Sequence, residues 1–176
     1  MRLVALAALT MFPLSCASAQ RKVEEIAFES GPFRIVGDLR TPEGPGPHPV
    51  VLFVHGDGPN NRTSGVTYPP LMDRMLRAGY ATFAWDKPGT GASTGEIDRS
   101  RLMDQRVQIV LDAIDVVQAR PDIDTDRIGM WGISQAGYVM PRVLERSDDV
   151  AFMIAVSCPG EPGVEQGAYL VTAQVR

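Results

Sequence analysis

The sequence of 176 residues has few cysteines and no cluster of positive charge. Its two cysteines are Cys16 and Cys158, and Cys16 falls in an N-terminal segment that we expect to be removed during export. Cys158 would then be left alone, which excludes an internal disulfide. The formal net charge is −4 with Lys and Arg dispersed along the chain, and this argues against nucleic acid as a partner.

A hydrophobic run long enough to span a bilayer is also missing. Residues 3–14 are mostly apolar, but the run is too short and too poorly flanked for a stable membrane span. It follows Arg2 and precedes Ala17-Ser18-Ala19, which is the pattern of a signal peptide over residues 1–19. We therefore expect export to the periplasm or the medium. Lipidation at Cys16 is the alternative, although the residue three places before it is not aliphatic.

Composition predicts one domain over residues 20–176. Apolar residues make up 44% of the chain and charged residues 22%, as in ordinary globular proteins, and no repeat or interdomain linker is visible. Residues 161–176 are compatible with a helix but end without a capping signal. We expect this segment to begin a cap over the site, and the chain to be truncated at its C-terminus.

Two kinds of apolar pattern predict strands. Residues 23–29 and 33–40 alternate apolar and polar side chains on either side of Ser30-Gly31-Pro32, as in an antiparallel hairpin with one face in water. Continuous apolar runs predict strands that are covered on both faces. These runs comprise residues 49–54, 80–85, 128–132 and 151–156.

Helical segments separate these strands. Residues 70–78 end at Gly79, a residue suited to a helix C-terminus. In residues 102–119 apolar side chains recur every three or four positions, and residues 135–145 can form a helix that Pro141 is expected to kink. This order predicts an α/β fold with a mostly parallel sheet, an N-terminal antiparallel hairpin and helices on both faces.

The segment Gly132-Ile133-Ser134-Gln135-Ala136-Gly137 joins a predicted strand to a predicted helix. This is the layout of a nucleophile elbow, in which a serine sits on a sharp turn with its hydroxyl at the edge of the sheet. The turn requires small residues two positions before and after the serine; Gly132 and Ala136 occupy these places, with Gly137 next. The motif also arises by chance in Gly- and Ser-rich sequences, but the flanking strand and helix favour the elbow.

Histidine, the usual base for a nucleophilic serine, is the missing partner. The two histidines of the sequence, His48 and His55, both precede Ser134. A triad in the order serine, acid, histidine cannot be completed within these residues, so we expect the triad acid and histidine outside them. Four carboxylates that follow the serine are interpreted as surface groups; they are Asp148, Asp149, Glu161 and Glu165.

Four segments around the predicted strands fit a single pattern. They are His55-Gly56-Asp57-Gly58-Pro59, residues 86–95, residues 124–129 ahead of the serine, and Ser157-Cys158-Pro159-Gly160. In this order they resemble the α/β-hydrolase superfamily, in particular exported esterases and serine-aminopeptidase or prolyl-oligopeptidase-like hydrolases. The resemblance covers residues 23–176 and implies the α/β-hydrolase sheet without its last strands.

The resemblance also implies roles for the site residues. His55-Gly56-Asp57 matches the oxyanion loop, so the backbone N–H groups of Asp57 and Gln135 would stabilise the negatively charged oxygen. His55 is then expected to shape this loop rather than to act as the base. The carboxylate of Asp57 is a departure, because related loops often carry a small residue at this place.

No cofactor or metal is expected. The Gly89–Gly95 segment has Thr94 where a dinucleotide-binding loop needs its third glycine, so it is interpreted as structural. No P-loop motif occurs, and no His, Cys and carboxylate side chains have metal-ligand spacing. The leading hypothesis is a serine hydrolase that forms an acyl-enzyme on Ser134 with an ester, a thioester or a small amide. The alternative is a non-catalytic fragment, pseudoenzyme or binding module, and the oligomeric state stays open.

Overall fold

The computed structural model of the protein describes residues 22–65 and 67–160. The described strands are β1 (Lys22–Ser30), β2 (Phe33–Thr41), β3 (His48–Val54), β4 (Ala81–Trp85), β5 (Ile123–Ile133) and β6 (Val150–Val156). The described α-helices are α1 (Tyr68–Arg77), α2 (Leu102–Gln118) and α3 (Ala136–Leu144), and a 3-10 turn, Arg99–Arg101, leads into α2. The predicted signal peptide, the predicted cap, Glu161 and Glu165 lie outside the described residues.

The strands form one mixed sheet in the order β1-β2-β4-β3-β5-β6. β1 and β2 form an antiparallel hairpin, and β2 is also antiparallel to β4. β4, β3, β5 and β6 run parallel to one another. Parallel neighbours need long crossovers, which the helices provide. The predicted fold class, a mostly parallel sheet with an N-terminal antiparallel hairpin, is confirmed.

The turn of the hairpin follows from its sequence. Ser30 and Phe33 form the last pair of the ladder, so Gly31 and Pro32 make a two-residue connection. Gly31 has φ +56°, a left-handed conformation that glycine adopts without steric cost. The hairpin therefore closes where the sequence predicts it.

β3 is the central strand, and its two faces pack against different helices. Val50, Leu52 and Val54 belong to a core cluster that also contains buried side chains of α2 and α3. Val51 and Phe53 face the other way and pack with α1 side chains. Helices therefore cover both faces of the sheet, and this explains why β3 is a continuous apolar run.

Two strands differ from their predicted form. β5 begins at Ile123 rather than at residue 128, because residues 124–127 are partly or fully exposed and give no apolar signal. β6 was predicted as a strand covered on both faces, yet it lies at the edge of the described sheet, with Met153 and Ile154 41% and 42% exposed. Among the described residues no further strand pairs with the outer edge of β6, so the prediction of cover on both faces is wrong for this strand.

The helices have the predicted positions within about two residues at each end. Gly79 follows α1 with φ +87°, as expected of a residue that ends a helix. Pro141 lies inside α3, which continues to Leu144. Among the described helices, none is both long enough and apolar enough to cross a bilayer.

Candidate functional site

The predicted site lies where the connections of the sheet change direction. β4 lies on one side of β3, and β5 lies on the other. In open α/β sheets a crevice forms at such a point, outside the carboxyl ends of the strands. The loop after β3 and the turn after β5 are therefore neighbours. A Cβ atom on Gly56 would lie 3.2 Å from the Ile133 carbonyl oxygen and 3.5 Å from Ser134 Cβ, so this approach depends on the missing side chain.

Ser134 lies on the tight turn between β5 and α3. Its φ of +55° is a left-handed conformation that is rare for a residue other than glycine. Two backbone hydrogen bonds hold the turn: the Ser134 N–H donates to the Val156 carbonyl at 3.1 Å, and the Ser134 carbonyl accepts from the Gly137 N–H at 3.0 Å. The residue is exposed. A strained, exposed serine between a strand and a helix has the geometry of a nucleophile elbow.

The small residues around the serine are closely packed against neighbouring side chains. A Cβ atom on Gly132 would lie 2.6 Å from Ala136 Cβ, and Ala136 is itself fully buried. A Cβ atom on Gly137 would lie 2.6 Å from Cys158 Cβ. Larger side chains at the two glycines would force the turn apart.

The two predicted oxyanion donors are brought together. The Gln135 side-chain amide donates to Asp57 Oδ1 at 3.1 Å, which links the loop after β3 to the turn after β5. The Asp57 carboxylate therefore has a partner of its own. Within the part of the chain that the structure describes, neither the Asp57 backbone N–H nor that of Gln135 donates to another backbone or side-chain group.

His55 is fully engaged inside the protein. It is 2% exposed, and its Nε2–H donates to the Trp85 carbonyl at 2.5 Å. Its Nδ1 accepts from the Tyr68 hydroxyl at 3.0 Å. Burial, followed by the nearby positive charges of Lys87 and Arg106, lowers the pKa of His55 to about 3. A neutral imidazole with both nitrogens occupied holds the loop and cannot take a proton from Ser134.

The pH dependence of stability tests this description of His55. The pKa of His55 is about 3 in the folded protein, against an ordinary value of 6.5. Between pH 3 and pH 6.5 the imidazole is therefore protonated in the unfolded chain but neutral in the folded one. The stability due to neutral His55 is therefore complete above pH 6.5 and falls towards pH 3 by up to about 1.4 kcal/mol per pH unit. Urea unfolding between about pH 4.5 and 6.5 should show this slope in the native protein and lose it in His55→Gln. Equal slopes would contradict a buried neutral imidazole.

The other titratable candidates lie at the opposite edge of the sheet. His48 begins β3 and pairs with Ile123 at the start of β5. It lies six residue steps along the strand from Val54, a length of about 20 Å. Asp148 and Asp149 are exposed and directly precede β6, so they too lie at the amino ends of the strands. None of these side chains approaches Ser134.

Two buried cations, Lys87 and Arg106, lie behind the loop after β3. The Arg106 guanidinium donates to the His55 carbonyl and to the Gln135 side-chain oxygen. Burial lowers the pKa of Arg106 to about 10. Lys87 Nζ donates to the Gly56 and Gly58 carbonyls at 2.6 and 2.7 Å. Both residues thus contact the predicted oxyanion loop.

Neither Lys87 nor Arg106 was among the site residues predicted from the sequence. Arg106 lies three residues after Met103 and four before Val110, on the apolar stripe of α2, and a charge in that position is a visible signal. Lys87 gives no such signal, because its partners are about thirty residues away in the chain.

The loop after β4 is built around the carboxylate of Asp86. Asp86 is 1% exposed and accepts from the backbone N–H groups of Arg62 and Ala92, each at 2.8 Å. The Arg62 guanidinium lies 3.0 Å from the same carboxylate. A Cβ atom on Gly91 would lie 2.1 Å from Asp86 Oδ2, so the carboxylate fills the space inside the loop. This glycine-rich segment wraps an internal anion, as suits a structural loop.

A cleft of about 660 Å³ adjoins the site. Its lining includes Asp57, Gln135 and Lys87, together with the apolar side chains of Ile97 and Leu102. This volume is within the usual range for small-molecule sites, about 300–1,000 Å³. Among the described residues, no three His, Cys, Asp or Glu side chains are grouped so as to hold a metal ion.

Solved structures define the class of fold. The α/β hydrolase GrgF from Penicillium sp. sh18 superposes with a TM-score of 0.66 at 20% identity, covering 88% of this chain and 53% of that one. The acetyl xylan esterase from Paenibacillus sp. R4 superposes with a TM-score of 0.68 at 20% identity, covering 92% and 55%. The protein has the α/β-hydrolase fold, and together with a family match over residues 30–169 this confirms the predicted superfamily.

The family follows from the sequence match. The chain belongs to the X-Pro dipeptidyl-peptidase (S15) family, whose model matches residues 30–169. It is also similar to an uncharacterized 31.7 kDa protein of Escherichia coli from the traX-finO intergenic region, with 35% identity over 101 residues. That match takes in 56% of this chain and 33% of the relative, so the chain corresponds to about a third of the length of that relative.

Proposed function

We propose that this protein is a serine hydrolase that cleaves an ester, a thioester or a small amide through an acyl-enzyme on Ser134. The observation that carries the proposal is the left-handed, exposed Ser134 at the sheet's switch point. It lies beside the backbone N–H groups of Asp57 and Gln135, which have no partner among residues 22–65 and 67–160. Membership of the X-Pro dipeptidyl-peptidase family supports hydrolytic chemistry at this place.

The proposed reaction begins with attack by Ser134 Oγ on the acyl carbon. The carbonyl electron pair moves to oxygen, and the backbone N–H groups of Asp57 and Gln135 stabilise the negative charge. The leaving group departs with a proton that the base has taken from the serine, and water then releases the acyl group by the same steps. The adjoining cleft would hold the acyl part or the leaving group of a small substrate.

The base and its acid would come from outside this sequence. His55 has both ring nitrogens engaged, and His48 lies at the other edge of the sheet. We therefore propose that the complete gene product supplies a histidine and a carboxylate that approach Ser134 from another segment. The 176 residues alone should then show little or no triad-dependent turnover.

Export belongs to the same proposal. Residues 1–19 would act as a signal peptide, with cleavage after Ala19 and release to the periplasm or the medium. Lipidation at Cys16 is the competing outcome, and the mass of the processed N-terminus distinguishes the two.

A substrate panel tests the reaction class. The family description names an X-Pro dipeptidyl-peptidase, and a peptidase hydrolyses amide bonds, whereas a solved neighbour is an acetyl xylan esterase. The complete gene product should release p-nitrophenol from p-nitrophenyl acetate in a burst of about one equivalent per protein, as expected of an acyl-enzyme. X-Pro p-nitroanilides report amide cleavage in parallel. Failure to hydrolyse any ester, thioester or amide of the panel would contradict the proposal.

A non-catalytic binding module is the second candidate, favoured by the lack of a base near Ser134 in the described residues and by the exposed apolar side chains of β6. The same panel separates the two candidates, because a binding module gives no burst at any substrate concentration.

A further inference from the structure

We propose that Lys87 is a positioning residue for the oxyanion hole: its ammonium group orients and polarises the Gly56–Asp57 peptide, whose N–H would meet the reacting carbonyl. The inference rests on the proposed function, because that function makes the Asp57 N–H a catalytic donor. The arrangement of Lys87 itself is a property of the fold.

Lys87 fixes the orientation of the Gly56–Asp57 peptide. Lys87 Nζ donates to the Gly56 carbonyl at 2.6 Å. Among the described residues the one cis peptide bond is Gly46–Pro47, so the Gly56–Asp57 bond is trans. In a trans peptide the C=O and N–H groups point in opposite directions. By holding the carbonyl, Lys87 turns the Asp57 N–H away from itself.

Every carbonyl of residues 55–58 is held in the same manner. Arg106 donates to the His55 carbonyl, and Lys87 donates to those of Gly56 and Gly58. The Asn60 side-chain amide donates to the Asp57 carbonyl at 2.6 Å. All four carbonyls of the loop therefore accept hydrogen bonds from side chains. The Asp57 N–H has no partner among the described residues.

The charge of Lys87 adds to its geometry. Lys87 is 7% exposed, so its attraction to the peptide carbonyls is weakly screened by water. A cationic donor on a carbonyl draws electron density from the peptide and makes its N–H a stronger donor. Removing the ammonium should therefore weaken the stabilisation of a negatively charged oxygen even when the loop keeps its shape.

The charged groups around Lys87 set its titration. Burial, and then the positive charge of Arg106 on α2, lower the pKa of Lys87 to about 7, while the Asp57 carboxylate acts in the opposite direction. Asp86 precedes it in the chain and is paired with Arg62, and His55 is neutral. Lys87 therefore loses its proton near neutral pH, and the polarisation of the peptide should change over the same range.

An NMR titration tests the proposal without any need for activity. The HNCO cross-peak that joins the Gly56 carbonyl carbon to the Asp57 amide reports on this one peptide. In the complete gene product it should move with pH around a midpoint of about 7, in keeping with the lowered pKa of Lys87. Lys87→Met, which keeps an unbranched stem but no charge, should abolish the movement. Asn60→Ala is the matched control, since it removes a neutral donor from the same loop, and it should retain the movement.

Kinetics of the same proteins complete the test. Lys87→Met should lower kcat for an activated ester by about 10- to 100-fold with KM nearly unchanged, less than the roughly 100- to 1000-fold expected for losing a donor outright. The protonation of Lys87 is followed in the same samples by the ¹⁵N shift of its Nζ. A cross-peak that stays still while that Nζ loses its proton in the native protein overturns the proposal, even if Lys87→Met fails to fold. So does an unchanged kcat in a folded Lys87→Met. If Ser134→Ala keeps the native rate, the proposed function fails, while the titration still decides whether Lys87 polarises the peptide.

Discussion

Ser134→Ala is expected to lower kcat/KM for an activated ester by at least about 10⁴-fold in the complete gene product. The side chain is the only part of the proposed machinery that forms a bond to the substrate, and alanine removes it without disturbing the backbone. What remains is the binding cleft and the two N–H donors, which support modest residual catalysis. Steady-state rates with p-nitrophenyl acetate, together with a thermal unfolding curve for each protein, check this expectation.

Ser157 provides a matched control for this variant. It directly follows β6 on the same edge of the sheet, it is exposed, and its φ of +48° is also left-handed. The proposal gives it no chemical role, so Ser157→Ala should keep the rate within about twofold, the scatter of an ordinary surface change. A large loss in Ser157→Ala with none in Ser134→Ala would move the reaction to the neighbouring strand and contradict the assignment.

Asp86→Ala is expected to destabilise the protein by about 3–5 kcal/mol, the usual cost of removing one partner from a buried ion pair. The change strands two backbone N–H groups and leaves the Arg62 guanidinium short of its most buried partner. Burial alone would raise the pKa of Asp86, but the hydrogen bonds from Ala92 and Arg62 lower it below its usual value, so the carboxylate is charged at neutral pH. Urea unfolding at pH 7 measures the loss of stability.

Asp38→Ala is the control for Asp86→Ala, because Asp38 and Asp86 both pair with Arg62. Asp38 contacts the same guanidinium at 2.6 Å, but it is more exposed and is not the carboxylate enclosed by the loop. Its removal should cost about 1 kcal/mol, near the upper end for partly exposed pairs.

Gly91→Ala should destabilise the protein about as much as Asp86→Ala, since the new Cβ would displace the Asp86 carboxylate. A loss below about 1 kcal/mol in Asp86→Ala would show that the loop does not depend on this anion.

The sequence predicts those parts of the fold whose signals are local. Three such signals are the alternation of apolar and polar residues on either side of Gly31, the apolar run of β3 and the three- to four-residue period of α2. Each reflects which residues within one short segment are buried, and all of these elements are present. The start of β5 could not be predicted, because residues 124–127 join the strand through backbone pairing while their side chains lie partly or fully in water.

Part of the candidate site could likewise be predicted from the sequence, and part of it could not. The elbow around Ser134 is visible in the sequence because small residues must flank the turn, and the structure places Gly56 and Asp57 beside it. The hydrogen bond from Lys87 to the Gly56 carbonyl could not be predicted, because it joins loops that follow different strands. Only the order of the strands in the sheet makes these loops neighbours. The roles assigned to Ser134, Asp57 and Gln135 stay predictions until the chemistry is measured.

The central claim is that Ser134 is the nucleophile, and a covalent map tests it most directly. The complete gene product would be treated with a fluorophosphonate, digested and examined by mass spectrometry. The account predicts one phosphonate adduct, on the peptide that contains Ser134, and its disappearance in Ser134→Ala. An adduct on another residue, or no adduct in a protein that hydrolyses esters, would contradict it.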